Sequence, residues 1–192
     1  MVDLVGLHKH FLLEHLVPGD TAVDFTMGNG NDTLFLSRTV GREGRVYAFD
    51  IQEEALASTR AHLLECDAPE NYTLICASHH RVKEFVKEPI KAGIFNLGYL
   101  PRSGKKSITT MRETTFPAVR DALELLLPDG VLIVAIYPGH EEGALEGDML
   151  RDYFRTLSRF RICASEFHIL NSPTSPYFFL LEKSPKAGYG EI

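Results

Sequence analysis

The segment Asp24-Phe25-Thr26-Met27-Gly28-Asn29-Gly30-Asn31-Asp32-Thr33 decides the fold of this chain. It overlaps an apolar run at 21–26 that has the composition of a buried strand, and it leads into a segment at 31–39 with helical periodicity. Gly28 and Gly30 let the chain turn tightly from strand to helix, and they let the backbone approach a ligand closely. A strand, a glycine turn and a helix in this order indicate the first unit of a doubly wound α/β fold.

Strands and helices alternate along the rest of the chain. A helix is predicted at 7–16, before this unit. After it, strands are predicted at 45–50, 72–77, 92–97 and 131–137, and helices at 53–65, 82–87, 114–127 and 144–157. We expect the turn Pro128-Asp129-Gly130 to close the helix at 114–127. Such alternation gives right-handed βαβ units, and therefore a parallel sheet with helices on both faces.

The C-terminal part of the chain departs from this alternation. Two predicted strands, 161–170 and 177–183, are joined by the short turn at 171–176. A parallel crossover needs a dozen or more residues, so these strands are expected to form an antiparallel hairpin. Five parallel strands followed by a hairpin resemble the Rossmann-like class I methyltransferase fold, which has a mostly parallel seven-stranded sheet. A dehydrogenase more often continues with a sixth parallel strand.

Composition and charge are those of an ordinary globular protein. Hydrophobic residues make up 44% and charged residues 24% of the chain, and no apolar run approaches the roughly 20 residues that span a bilayer. Cys66, Cys76 and Cys163 are too few and too scattered for a disulfide framework or a zinc site. We therefore expect one cytoplasmic domain over 1–192, with no membrane contact and no metal. The net charge of −6 argues against a general nucleic-acid coat protein but permits an RNA enzyme with a local basic patch.

The glycine turn and the strand ends beside it predict a site for S-adenosylmethionine. Asp24, just before the glycines, would repel a pyrophosphate but suits the cationic methionine moiety of this donor. Asp50 follows about 20 residues after Gly30, at a strand end where a carboxylate accepts hydrogen bonds from a ribose in either NAD or S-adenosylmethionine. Thr33 replaces the third glycine of the dinucleotide pattern. The predicted donor-binding residues are Asp24, Thr26, Met27, Gly28, Asn29, Gly30, Asn31, Asp32, Asp50, Gln52, Ser78, His79 and Asn96.

The end of the fourth parallel strand predicts the acceptor site. Asn96, Leu97, Gly98 and Tyr99 supply a polar side chain, backbone carbonyls and an aromatic ring. A nitrogen that attacks a sulfonium methyl needs a free lone pair in line with the S–CH₃ bond. Amide and backbone oxygens can accept the hydrogens of the amine and aim that lone pair, while the ring stacks on a planar substrate. We therefore predict these four residues to be catalytic.

Several separate motifs resemble one family. DFTMGNGNDTLFL (24–36), FDIQ (49–52), SHH (78–80), FNLGYLP (95–101), YPGHEEG (137–143) and PYFFLLEK (176–183) are similar, in order and spacing, to the YtqB-like (MnmM) family, formerly grouped as rRNA methylases. The resemblance spans 19–183. It implies S-adenosylmethionine as donor, the aminomethyl group of a wobble (2-thio)uridine in the tRNA anticodon loop as acceptor, and a homodimer. It also implies a functional turn after the fifth strand, at Tyr137, Pro138, Gly139 and His140.

Basic residues follow the predicted acceptor strand. Such a run is usually a solvated loop, but its position after the acceptor strand favours contact with RNA phosphates, because RNA-modifying sites usually act on single-stranded loops. The predicted RNA-binding residues are Arg102, Lys105, Lys106, Arg112 and His140.

Four functions are compatible with these patterns. The favoured one is an RNA amine methyltransferase. The second is a methyltransferase for a small-molecule or protein amine, which the acidic charge permits. The third, an NAD-dependent oxidoreductase, is opposed by Thr33 and by the lack of hydride-transfer residues. The fourth is a non-catalytic module that binds an S-adenosyl ligand.

Overall fold

A computed structural model describes residues 3–98, 110–139 and 141–192. The helices and strands in chain order are α1 (Leu4–His15), β1 (Thr21–Asp24), α2 (Asn31–Val40), β2 (Arg45–Asp50), α3 (Glu53–Glu65), β3 (Tyr72–Cys76), a 3₁₀ turn (His79–Arg81), α4 (Val82–Phe85), β4 (Ile90–Leu97), α5 (Arg112–Leu125), β5 (Leu126–Ile136), α6 (Glu141–Thr156), β6 (Ile162–Phe167) and β7 (Tyr177–Lys183).

The strands form one seven-stranded sheet in the order β3-β2-β1-β4-β5-β7-β6. Strands β1 to β5 run parallel, and β7 runs antiparallel to both β5 and β6. This confirms the predicted fold class and its C-terminal hairpin. The strand order reverses between β1 and β4, so a crevice opens there at the carboxyl ends of the strands, where doubly wound proteins bind ligands.

Alternating side chains of the strands form a core on each face of the sheet. On one face, Phe25 and Phe95 stack with their ring centroids 4.0 Å apart, in a core cluster that also contains side chains of α4, α5 and α6. On the other face, α1 and α2 pack against the buried side chains that β1, β4, β5 and β7 present to that face. The helices on both faces are therefore as predicted, and α1 and α2 lie side by side next to the crevice.

The start of β5 corrects one prediction. Pro128-Asp129-Gly130 does not close a helix at Leu127: α5 ends at Leu125, and the turn residues lie inside the span of β5. They form an irregularity in the pairing with β4, where Asp129 has a φ of 60°. The apolar residues before the turn continue the helical pattern, but pairing with β4 overrides that local preference. The ends of the other elements differ from the prediction by a few residues.

No helix in the described part of the chain is long and apolar enough to cross a membrane. Among residues 3–98, 110–139 and 141–192, no three His, Cys, Asp or Glu side chains group as metal ligands would.

Candidate functional site

The glycine turn between β1 and α2 lies at the point where the strand order reverses. Gly28 and Gly30 have φ values of 51° and 83°, a backbone region that residues other than glycine rarely adopt. Thr59 of α3 donates a hydrogen bond to the carbonyl of Gly28 at 3.0 Å. A Cβ atom on Gly30 would lie 2.9 Å from Cγ2 of the same threonine. Thr59 thus holds the turn from behind, a role that the sequence did not indicate because a threonine within a helix has no distinctive pattern.

Asp24 supports this turn from inside the protein. Its side chain is fully buried, accepts a hydrogen bond from the Thr33 hydroxyl at 2.7 Å and accepts another from the Thr26 amide at 3.1 Å. Burial, and next the charge of Asp32, raise the pKa of Asp24 to about 7. The hydroxyl of Thr33 gives a reason for the missing third glycine, since it binds the carboxyl beneath the turn. Contact between Asp24 and the methionine moiety of the donor stays a prediction.

Asp50 holds the other side of the turn. Its carboxylate accepts hydrogen bonds from the Gly28 amide at 3.2 Å and from the Gln52 amide at 3.0 Å, and burial raises its pKa. The side-chain oxygen Oε1 of Gln52 is buried and has no hydrogen-bond partner among the described residues. A ligand with hydroxyl or amino donors would satisfy this oxygen. Both residues therefore fit the predicted ribose and adenine end of the donor site.

His79 follows β3 and supports the end of β1. Its Nδ1–H donates to the carbonyl of Phe25 at 3.2 Å, and its ring contacts the edge of Phe95. Burial lowers the pKa of His79 to about 4, so the imidazole is neutral near pH 7 and Nε2 carries a lone pair. A hydrogen bond of 2.8 Å joins the hydroxyl of Ser78 to Nδ1 of His80. The structure thus gives both predicted donor-site residues protein contacts at the strand end where an adenine was expected.

Asn96, which is predicted to lie at the acceptor site, forms a polar pair with Asp32. The side-chain nitrogen of Asn96 donates to Asp32 Oδ2 at 2.8 Å, and the backbone nitrogen of Asn96 donates to the Thr26 hydroxyl at 2.7 Å. A carboxylate only accepts hydrogen bonds, so the amide nitrogen of Asn96 must face Asp32. The amide oxygen Oδ1 consequently faces away from Asp32, and no described residue donates a hydrogen bond to it, so it can accept one from a substrate.

Helix α1 adds two residues to this polar pair that the sequence analysis missed. Lys9 Nζ lies 3.3 Å from Asp32 Oδ1, and His8 Nε2 lies 4.0 Å from the same oxygen. His8 is only 2% exposed, and burial lowers its pKa despite the neighbouring carboxylate. Nothing in the sequence links α1 to the glycine turn, since these residues lie more than 20 positions before Asp32. Only the packing of α1 beside α2 brings them together.

The remaining predicted acceptor residues are placed as follows. Leu97 is fully buried, so only its backbone can face a substrate. Gly98 lies against Tyr137, because a Cβ atom there would be 3.8 Å from that side chain. Burial, and then the charge of Asp32, raise the pKa of Tyr137. Tyr99 lies outside the described residues, so its stacking role stays a prediction.

Of the predicted RNA-binding residues, the structure describes Arg112. Its Nε donates to Glu142 Oε1 at 3.0 Å, and its backbone nitrogen bonds the same oxygen at 3.2 Å. This guanidinium therefore anchors the start of α5 to α6, and a phosphate would have to share it with Glu142. The other predicted RNA-binding residues lie outside the described part: Arg102, Lys105, Lys106 and His140.

Two solved structures with this architecture and more than a third of their residues identical are described as methylases or methyltransferases. A Clostridium thermocellum protein described as a "putative rRNA-methylase" is 36% identical, with a TM-score of 0.91 over 95% of this chain and 98% of that one. A Streptococcus mutans protein described as a "putative methyltransferase", solved in complex with SAH, is 37% identical, with a TM-score of 0.86 over 95% and 99% of the two chains. The fold and its crevice define this chain as an S-adenosylmethionine-dependent methyltransferase. Membership of this methyltransferase class excludes the alternative that the chain is an NAD-dependent oxidoreductase.

Sequence comparison identifies the family. The model of the family "Putative rRNA methylase" matches residues 46–183. The chloroplastic tRNA (mnm(5)s(2)U34)-methyltransferase of Arabidopsis thaliana is 35% identical over 185 residues, which cover 91% of this chain and 67% of that protein. The chain belongs to this rRNA methylase family, and the predicted resemblance is confirmed.

This arrangement can position two reactants at one edge of the sheet. Asp50, Gln52 and the glycine turn fit the donor, which supplies an electrophilic methyl group when bound. Asn96 and Asp32 present an amide oxygen and a carboxylate at the end of β4, where the acceptor is predicted to bind. These groups can bind and orient a cationic or neutral amine, and the homology supports RNA as the molecule that carries it.

Proposed function

We propose that this enzyme methylates the 5-aminomethyl group of the wobble (2-thio)uridine in the anticodon loop of tRNA. The observation that carries the proposal is the Asn96–Asp32 pair, because its hydrogen bond of 2.8 Å fixes the direction of the amide oxygen. The name of the Arabidopsis relative supports the choice of nucleoside. The predicted homodimer and the predicted cytoplasmic location belong to the same proposal.

The pair performs two tasks in the proposed reaction. The carboxylate of Asp32 attracts the alkylammonium form of the acceptor, since opposite charges at contact distance favour each other strongly in a partly buried site. After the ammonium loses a proton to solvent, Oδ1 of Asn96 accepts one N–H of the neutral amine and leaves its lone pair directed at the methyl group. A new N–CH₃ bond forms as the S–CH₃ bond breaks, and the nitrogen then releases a second proton. The rate should therefore rise with pH until most of the amine is neutral.

Nucleoside analysis tests the proposal directly. The protein is incubated with S-adenosylmethionine and tRNA that carries 5-aminomethyl-2-thiouridine, and the tRNA is then digested and analysed by mass spectrometry. We expect one added methyl group on that nucleoside and none on tRNA with unmodified uridine. Asn96→Ala should lower kcat by about 10²–10³, the range for loss of one preorganised polar group, without changing donor affinity.

Three results would contradict the proposal. The methyl group could appear on another nucleoside, the tRNA could stay unmethylated while a small-molecule or protein amine is methylated, or Asn96→Ala could retain the full rate. The second result would favour the amine methyltransferase that the acidic composition permits.

A further inference from the structure

A groove lies between α1 and α2, next to Asp32 of the Asn96–Asp32 pair. It is open to solvent and has a volume of about 370 Å³, within the size range of about 300–1,000 Å³ for small-ligand pockets. We call it the α1–α2 groove. It is lined by Lys9, Asn31, Leu34, Phe35, Arg38 and Thr39. The end of the groove at Arg38 and Thr39 has no role in the proposed methyl transfer.

The groove combines an apolar wall with positive charge. The ring of Phe35 is partly exposed, and Lys9 Nζ lies 5.2 Å from its centroid. Arg38 is exposed and donates to the backbone carbonyl of Cys66 at 2.7 Å. That partner is neutral, and Arg38 forms no ion pair with a carboxylate of the described residues, so its charge is available to a ligand. An aromatic ring beside a cation is the combination with which proteins bind single-stranded nucleic acid.

The groove is continuous with the acceptor side of the site. Asn31 lies at the crevice end of the groove and directly precedes Asp32, whose other carboxylate oxygen is 3.3 Å from Lys9. From Asn31 the lining residues follow one face of α2 as far as Thr39. This is a distance of about 12 Å at about 1.5 Å per residue, enough for a nucleotide beside the target base.

We propose that the α1–α2 groove binds a nucleotide adjacent to the target base in a single-stranded RNA, with Phe35 against the base and Arg38 against the phosphate. The choice of RNA rests on the proposed function. The charge of Arg38, in a chain of net charge −6, also favours a polyanion over a neutral protein surface.

Fluorescence anisotropy with a labelled anticodon stem-loop RNA tests this site. Arg38→Gln removes the charge but keeps a donor for the carbonyl of Cys66. Arg42→Gln is the matched control, because Arg42 is exposed just after the same helix and does not line the groove. Phe35→Ala tests the aromatic contact. Titration with the demethylated donor product shows that each variant retains its fold and donor site.

We expect Arg38→Gln to weaken RNA binding and to reduce the slope of log K against log salt by about 0.7, the value for one phosphate contact to a single strand. Phe35→Ala should weaken binding about fivefold or more, with a smaller effect of salt, because a base contact is mainly apolar. Arg42→Gln should bind like the wild type. Donor-product affinity should not change in any variant.

The outcomes separate this proposal from the proposed function. If the wild type binds no RNA, or if Arg38→Gln behaves like Arg42→Gln, the groove is not an RNA site. If the wild type binds RNA and Arg38→Gln shows the loss, but no nucleoside is methylated, the groove stands and the proposed reaction fails. If a protein binds through Arg38 and Phe35 while RNA does not, the occupant is a protein and the proposal is wrong.

Discussion

Asp32 offers the sharpest test of the acceptor site, because the sequence assigned it to the donor and its contacts connect it to Asn96. Its carboxylate accepts from the Asn96 amide at 2.8 Å and lies 3.3 Å from Lys9. In Asp32→Asn the new side chain can both donate and accept. The amide of Asn96 is then no longer held in one orientation, and the attraction for an alkylammonium is lost.

The size of the effect follows from these contacts. A hydrogen bond to a charged group contributes about 1.5–3 kcal/mol. The Asp32 side chain is only 16% exposed, so solvent screens the interaction weakly. Because about 1.4 kcal/mol corresponds to tenfold in rate, we expect kcat/KM for the RNA to fall by roughly 10- to 150-fold. Donor affinity should stay the same, since the proposed reaction places both side chains against the acceptor and not against the donor.

Single-turnover methyl transfer at saturating donor, together with calorimetry of donor binding, measures both quantities. Asp152→Asn is a matched control, because the side chain of Asp152 is 78% exposed and forms an ion pair with Arg155 on α6 rather than with a residue of the site. The reasoning is refuted if Asp32→Asn weakens donor binding and leaves the methyl-transfer step unchanged. Asp32 would then belong to the donor site, as the sequence analysis assigned it.

Three other expectations concern the donor side. Asp50→Ala should weaken donor binding about tenfold or more, because it removes hydrogen bonds to a charged oxygen; unchanged affinity in calorimetry would remove Asp50 from the site. Gly30→Ala should lower the melting temperature more than Gly19→Ala, since both positions have positive φ but only at Gly30 would the Cβ meet Thr59; equal losses would show that backbone strain alone matters. The pKa of Asp24 is raised from 3.8 to about 7, so the folded state binds this proton more tightly than the unfolded state does. The contribution of Asp24 to the free energy of unfolding should therefore fall as pH rises from about 4 to about 7, by at most about 1.4 kcal/mol per pH unit. Urea unfolding of wild type and Asp24→Asn across this range isolates the effect from His79, whose lowered pKa acts in the opposite direction; parallel curves would contradict it.

The local patterns of the sequence were sufficient for most of the fold. Alternating strands and helices, the glycine turn at Gly28 and Gly30, and the short turn before β7 depend on residues that are close in the chain, so the sheet and its hairpin could be predicted. The start of β5 could not be predicted. Its apolar residues fit a helix equally well, and the pairing with β4 that decides between the two lies more than 30 positions away.

The sequence by itself determined the residues at the strand ends: the turn around Gly28, Asp50 after β2 and Asn96 in β4. In a parallel sheet those ends must meet at one edge, so their order in the chain is enough to group them. The tertiary structure decided which side chains hold them in place. Thr59 behind the turn, Thr33 bound to Asp24, and α1 beside Asp32 are contacts between elements far apart in the chain. Such contacts depend on the packing of helices against the sheet, because no periodicity or spacing within the chain specifies which side chains face each other across two packed elements.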